Sequence, residues 1–102
     1  MEQNWYRALN FEYAGIKPID FSKYSDAQIE KYWFVYNHLQ DLLTESACGY
    51  KHIEYGVYDN NGSIEEYVRV CNSLDDKYDG RYICVTKDSK IALARDVIDN
   101  LY

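Results

Sequence analysis

Residues 25–49 read SDAQIEKYWFVYNHLQDLLTESACG, and this stretch carries the strongest local structural signal in the chain. Ser25 is a good helix N-cap, and Gln28, three residues later, completes a capping box. Gly49 can end the helix, because glycine readily adopts the left-handed conformation that often follows a last helical turn. We therefore predict one helix of about six turns between Ser25 and Gly49.

The apolar residues of this predicted helix fall on one face, which should pack on the rest of the fold. They are Ile29, Tyr32, Trp33, Tyr36, Leu39, Leu43 and Ala47, with Val35 and Leu42 widening the face. Phe34 instead lies among charged residues on the opposite face. A large apolar residue there is either covered by another part of the chain, such as the N-terminal segment, or exposed for a partner.

Upstream of this helix, residues 5–13 alternate between two sides and are rich in aromatic residues, which is typical of a strand. A short helix from Asn4 is the less favoured alternative. Residues 15–24 form a connection in which Pro18 keeps Lys17 extended. Downstream, His52 to Tyr58 is predicted to be a strand, and the Asn-Gly pair at 61–62 is a strong hairpin-turn signal.

Residues 63–72 are compatible with two structures. The β-branched and aromatic run from Tyr67 to Cys71 favours a strand after the turn, whereas Ser63 and Glu66 could form a second capping box and begin a helix. We favour the strand because this run has poor helix propensity.

Three further segments follow: an acidic loop over 74–80, a strand over 81–86, and a final helix capped by Asp88 or Ser89. The resulting order is β-α-β-β-β-α, within a single domain of residues 1–102. The simplest packing is an α+β fold, in which an antiparallel sheet carries the long helix and the C-terminal helix on one face.

Composition narrows the classes of partner. The formal net charge is −6, which argues against direct binding to nucleic acid and against adsorption to anionic membranes. An acidic surface instead favours a protein partner with a basic surface. No signal peptide and no membrane span is recognisable, so we expect a cytoplasmic protein whose three cysteines, Cys48, Cys71 and Cys84, are free thiols.

The sequence contains no recognisable catalytic or ligand-binding motif. A nucleophilic serine or cysteine needs a nearby base, and neither His38 nor His52 is placed to supply one. The cysteines and histidines lack the spacing of a zinc site, the acidic loops lack an EF-hand pattern, and no phosphate-binding glycine loop occurs. We therefore expect no metal, no cofactor and no enzymatic activity.

With no catalytic or ligand-binding motif, the sequence favours a protein that functions by binding a partner protein through its surface. The candidate partner-binding residues are the spare aromatic on the polar helix face and a ridge of acids: Phe34, Asp59, Glu65, Glu66, Asp75, Asp76 and Asp79. We expect a small inhibitor that occludes a nuclease or another nucleic-acid-handling protein, in the general style of phage anti-defence proteins such as anti-CRISPR and anti-restriction proteins. The alternatives are an immunity protein or antitoxin that neutralises a toxin, and a small ligand-binding domain or enzyme. Exposed aromatic residues also make a homodimer plausible.

Overall fold

The computed structural model describes residues 5–7, 11, 14–45, 49–76, 78–86 and 89–101, with the backbone alone for 5–7 and 101. The strands are β1 (Trp5–Arg7), β2 (Ile16–Pro18), β3 (His52–Asn60), β4 (Ser63–Cys71) and β5 (Arg81–Cys84). The helices are a 3₁₀ turn (Phe21–Lys23), α1 (Asp26–Phe34), α2 (Gln40–Glu45) and α3 (Lys90–Leu101). A π-helical turn, Val35–Leu39, joins α1 to α2, and the three segments together form the long helix.

The strands form one antiparallel sheet in the order β1-β5-β4-β3-β2. The predicted α+β class is confirmed, and the order differs from the predicted one by the additional strand β2. This three-residue strand pairs with the end of β3, in a segment that we had assigned to a connection. β1 is described over Trp5–Arg7 only, and most of the remainder of the predicted strand 5–13 lies outside the described residues.

The hairpin of β3 and β4 decides between the strand and the helix that were both compatible with residues 63–72. The two strands pair from His52↔Cys71 to Asn60↔Ser63, so the segment is a strand, as favoured. Asn61 and Gly62 both have positive φ values, 53° and 97°, which is the conformation that a two-residue hairpin turn requires. The turn thus fixes the register that places each side chain of β4 on its face.

The predicted capping box is confirmed at the start of the long helix. Gln28 N–H donates to Ser25 Oγ at 3.2 Å, and Ser25 N–H donates to Gln28 Oε1 at 2.8 Å. The predicted apolar face, however, is wrong in part. The fully buried apolar residues are Val35, Leu39 and Leu43, whereas Trp33 is 52% exposed.

The π turn explains this difference. A π turn contains one more residue than an α turn, so the residues that follow it are rotated relative to a regular helical wheel. The buried positions therefore recur every four residues, at Lys31, Val35, Leu39 and Leu43.

Both helical segments pack on the same face of the sheet, as predicted. One cluster of buried residues joins them: Val35, Leu39, Leu43, Ile53, Tyr55, Val57, Val68, Val70, Ile83, Val85, Leu93 and Val97. The sheet contributes alternate residues of β3, β4 and β5 to this core. The opposite sheet face, which we call the outer face, is aromatic and is partly covered by Phe11, which is itself buried.

The part of the β3 edge that β2 does not cover is closed by two side chains and by the backbone of Ile19. Val57 N–H donates to the Tyr24 hydroxyl at 3.1 Å, and Ile53 N–H donates to Gln40 Oε1 at 3.1 Å. Ile19 N–H donates to Val57 C=O at 2.9 Å. These bonds satisfy main-chain groups that an edge strand otherwise exposes.

Gly80 is required where the acidic loop enters β5. Its φ is 88°, and a Cβ there would lie 2.0 Å from the Val70 carbonyl oxygen. We expect Gly80→Ala to lower the free energy of unfolding by about 2 kcal/mol or more, because it combines backbone strain with a backbone overlap. Gly62→Ala is the matched control, since Gly62 also has a positive φ but a Cβ there has nothing within 4 Å. Urea unfolding of both variants checks this, and equal losses would contradict it.

Candidate functional site

The acidic residues of the predicted ridge lie at opposite ends of the sheet, as a hairpin over residues 52–71 implies. Asp59 lies at the β3–β4 turn, where its Oδ1 accepts from Gly62 N–H at 2.7 Å. Asp75, Asp76 and Asp79 follow the other end of β4. Because the full length of β4 separates them, these carboxylates form two patches and not one surface.

Glu66 corrects the predicted ridge, because it is buried. Its side chain lies on the helix-facing side of β4, where Oε1 accepts from Lys31 Nζ at 2.7 Å and from the Tyr55 hydroxyl at 2.5 Å. Burial and the neighbouring Glu66 carboxylate raise the pKa of Tyr55, so its hydroxyl stays protonated and donates. Glu66 therefore ties the long helix to the sheet and is not available at the surface.

Glu65 points to the outer face and is half-buried. Its Oε1 accepts from Asn60 Nδ2 at 2.7 Å and from the Tyr67 hydroxyl at 3.0 Å. Its partner-binding role stays a prediction, but both bonds hold it within the sheet.

The acidic loop is built around the buried guanidinium of Arg69. This group donates to the carbonyl oxygens of Ser73 (3.4 Å), Asp76 and Asp79 (2.9 and 3.2 Å), and to Glu54 Oε1 at 3.0 Å. This one side chain therefore holds three carbonyl groups of the loop. Asp75 and Asp76 are exposed, although Asp76 Oδ1 accepts from Tyr78 N–H at 3.0 Å.

Asp79 has an internal role in the same loop. Its Oδ2 accepts from the backbone N–H groups of Asn72 (2.8 Å) and Ser73 (2.7 Å). These bonds lower the pKa of Asp79, because they favour the ionised carboxylate. Asp75 and Asp76 are thus the loop acids best placed to meet a partner.

Phe34 is half-buried and packs against the core. Lys90 of α3 lies over its ring at 5.9 Å, and the His38 ring lies 5.4 Å away. Among the described residues, the C-terminal helix therefore supplies part of the cover that the sequence left open. Phe34 remains a predicted contact residue, with much less free surface than its neighbour Trp33.

The exposed aromatic surface lies one residue earlier on the helix. We call it the Trp33 face and define it by six of the exposed residues of the long helix, namely Glu30, Trp33, Tyr36, Asn37, Asp41 and Glu45. The Tyr32 ring supports it, 5.0 Å from the Trp33 ring and 4.8 Å from the Tyr36 ring. Two exposed aromatic rings thus share one helix face with three carboxylates.

The electrostatics of this face are acidic. Lys90 Nζ donates to Glu30 Oε1 at 2.9 Å and so lowers the pKa of that carboxyl, which stays ionised. Burial raises the pKa of Tyr36 to about 12, so its phenol stays neutral. Asp41 and Glu45 are exposed and complete the negative border. Sequence reasoning missed this face because it assigned Trp33 and Tyr36 to the core.

Apart from the Trp33 face, the described residues form a cavity on the outer face of the sheet beside Gly56. It is a cavity of about 160 Å³ lined mainly by tyrosines, with the Glu54–Arg69 ion pair at its wall. The Tyr58 ring lies close over Gly56, since a Cβ at this position would be 2.8 Å from Cε1 of Tyr58.

The remaining sequence predictions concern cysteines, metals and membranes. Cys71 and Cys84 are free, while Cys48 lies outside the described residues. Within the described ranges, no group of three or more His, Cys, Asp or Glu residues is arranged to hold a metal ion. None of the helices described here combines the length and apolarity needed to cross a membrane.

Comparisons of the chain with protein-family models, with curated proteins and with solved structures find no match.

Proposed function

We propose that this protein is a small acidic binding protein, without enzymatic activity, that inhibits a nucleic-acid-handling protein by occluding its basic surface. The observation that carries the proposal is the exposure of Trp33 on a helix face bordered by carboxylates. Tryptophan and tyrosine dominate the binding energy of protein interfaces when they insert into a partner's pocket. A tryptophan that is half-exposed in the free protein has apolar area left to bury.

The charge of the chain supports the basic partner. With a net charge of −6, the protein is attracted to the surface that a nuclease uses for phosphates, and its carboxylates compete with those phosphates. Phage anti-defence proteins such as anti-CRISPR and anti-restriction proteins act in this general way, and that is the setting we propose. The cytoplasm is the compartment in which such a partner would be met.

The prediction for this proposal is that Trp33→Ala weakens inhibition about 30-fold or more, the effect of losing a central aromatic anchor. Ile64→Ala is the matched control, since Ile64 is 51% exposed against 52% for Trp33 but lies at the hairpin. The assay measures cleavage by purified CRISPR effectors, restriction nucleases and nuclease toxins with increasing amounts of this protein.

A second variant distinguishes the two acidic surfaces. Reversing Asp75 and Asp76 to lysine should slow association modestly if the Trp33 face is the contact, and should abolish inhibition if the acidic loop is. Unchanged cleavage by every nuclease at saturating protein would refute the proposal. An equal effect of Trp33→Ala and Ile64→Ala would refute the role of the Trp33 face.

A further inference from the structure

A groove lies between the long helix and the start of α3. Lys90 of α3 joins its two walls, because its Nζ donates to Glu30 Oε1 at 2.9 Å and lies 5.9 Å from the centre of the Phe34 ring. Both rims carry exposed apolar side chains: Trp33 of the long helix is 52% exposed, and Ile91 of α3 is 68% exposed. The groove therefore has apolar area on each side that a partner can bury.

The Glu30–Lys90 ion pair divides this groove into two depressions of about 220 and 300 Å³. Each is larger than a cavity of about 150 Å³ that accepts benzene, so each has room for an apolar side chain. Both depressions include the ion pair itself. Their other lining residues are Ala27, Lys31, Ser89 and Ile91 in the first, and Trp33, Phe34, Asn37 and His38 in the second.

The spacing of the two depressions matches the repeat of an α-helix. On the long helix, Ala27 and Lys31 border the first depression, and Phe34 and His38, each seven residues later, border the second. Seven helical residues span about 10 Å, and the side chains at positions i and i+7 of a partner helix are the same distance apart on one face. A helix is also the occupant that suits these walls. Both walls are helices whose main-chain groups are bonded internally, so an extended peptide would not gain the main-chain bonds that a sheet edge offers.

The charge of the groove favours a basic occupant. The one lysine of the long helix over residues 26–45, Lys31, is buried against Glu66, and α3 contains two bases and two acids and so adds no net charge. A second copy of this chain, with its own net charge of −6, would be repelled, whereas a helix rich in lysine and arginine would be attracted. The four acids of the long helix are all exposed: Asp26, Glu30, Asp41 and Glu45.

We propose that this groove binds a basic amphipathic α-helix of the partner protein, which inserts apolar side chains at positions i and i+7 into the two depressions. Its lysine and arginine side chains lie beside Asp41 and Glu45, which follow the second depression along the long helix. This binding mode rests on the proposed function, because it names the element of the partner that the Trp33 face contacts. Trp33 is then the wall of the second depression, against which one of the inserted side chains packs.

The experiment uses a designed peptide of about 18 residues, with two leucines seven positions apart, lysine and arginine along one side of them, and alanine elsewhere. A dye-labelled form of the peptide is titrated with this protein, and binding is followed by fluorescence anisotropy. We expect a dissociation constant on the order of 10 µM at low salt, which increases with ionic strength. Amide shifts of the ¹⁵N-labelled protein should centre on residues 26–38 and 89–92.

Two altered peptides test the nature of the occupant. Replacing both leucines by serine removes the groups that fill the depressions and should weaken binding about tenfold or more. A proline at the centre of the peptide disrupts its helix and should have a similar effect. Unchanged binding of the proline peptide would overturn the helical occupant, and unchanged binding of the serine peptide would overturn the role of the depressions.

Two protein variants locate the peptide. Ile91→Lys replaces an apolar rim of the groove by a positive charge and should weaken peptide binding about tenfold or more. Ile64→Lys is the matched control, since Ile64 is also more than half exposed and receives the same charge, but lies in the β3–β4 hairpin. Its binding should stay within about twofold of the wild type. The amide spectrum of each variant reports whether it is folded, and an equal loss in both variants would overturn the groove as the binding site.

The nuclease assay separates this binding mode from the proposed function. If Ile91→Lys lost the peptide but inhibited a nuclease as well as the wild type, the groove would not be the inhibitory contact, and the binding mode would be overturned while the proposed function stood. Peptide binding that depends on Ile91, in a protein that inhibits no nuclease, would support the groove and refute the proposed inhibition. Analytical ultracentrifugation tests the remaining occupant: a dimer that Ile91→Lys dissociates would assign the groove to a second copy and overturn the proposal.

Discussion

Replacing Glu66 by glutamine is expected to lower the free energy of unfolding by about 3–5 kcal/mol. The substitution replaces the Glu66 carboxylate, which lies 2.7 Å from the Lys31 ammonium, by a neutral amide. The side chains of Lys31 and Glu66 are both at most a tenth exposed. The ammonium would then remain buried opposite a neutral amide, and the Tyr55 hydroxyl would lose its charged acceptor. Urea unfolding should show a lower midpoint with an unchanged slope.

Two comparisons make this result specific. Glu65→Gln changes the adjacent glutamate, which is partly exposed, and should cost less than about 1 kcal/mol. The double variant Lys31→Met with Glu66→Leu removes both charges and should recover part of the loss, because apolar residues of similar volume can replace a buried ion pair, whereas the buried Tyr55 hydroxyl still loses its acceptor. A cost of Glu66→Gln no greater than that of Glu65→Gln would contradict the structural role of the pair.

Replacing Arg69 by methionine is expected to cost about 3 kcal/mol or more and to release the acidic loop. Methionine fills part of the same space but donates to none of the three carbonyl groups and leaves Glu54 without its ion-pair partner. Hydrogen exchange should therefore accelerate over residues 72–80 more than in β3.

Arg81→Met is the matched control for this experiment, since Arg81 is exposed and should be replaceable at a cost within about 0.5 kcal/mol. Arg69→Lys keeps the charge but loses the planar fork that reaches several carbonyls at once, so it should restore only part of the stability. Unchanged protection of residues 72–80 in Arg69→Met would show that other contacts fix the loop.

Sequence reasoning predicted the parts of this fold that depend on local signals. The capping box at Ser25 and the Asn61-Gly62 turn each specify one conformation through bonds made within a few residues, and both are present. The strand β2 was not predicted, because three residues that include Pro18 have no periodicity of their own and pair only through β3.

The surface was harder to predict than the fold, and the π turn shows why. The wheel of a regular helix placed Trp33 in the core and Phe34 outside, whereas the extra residue of the turn and the position of α3 expose Trp33 and partly cover Phe34. The prediction that Glu66 lies at the surface was wrong for another reason. Alternation along β4 assigns a residue to a face of the sheet, but it does not show that Lys31 of the long helix forms an ion pair with that residue.

The pairing of β1 with β5 has a consequence for how the chain acquires its structure. Trp5 pairs with Ile83, so β1 has no partner in the sheet until β5, which is far away in the sequence, is available. The hairpin of β3 and β4, by contrast, closes over a two-residue turn and can form early. We therefore expect the sheet to assemble outward from this hairpin, with β1 docking only after β5 has joined β4.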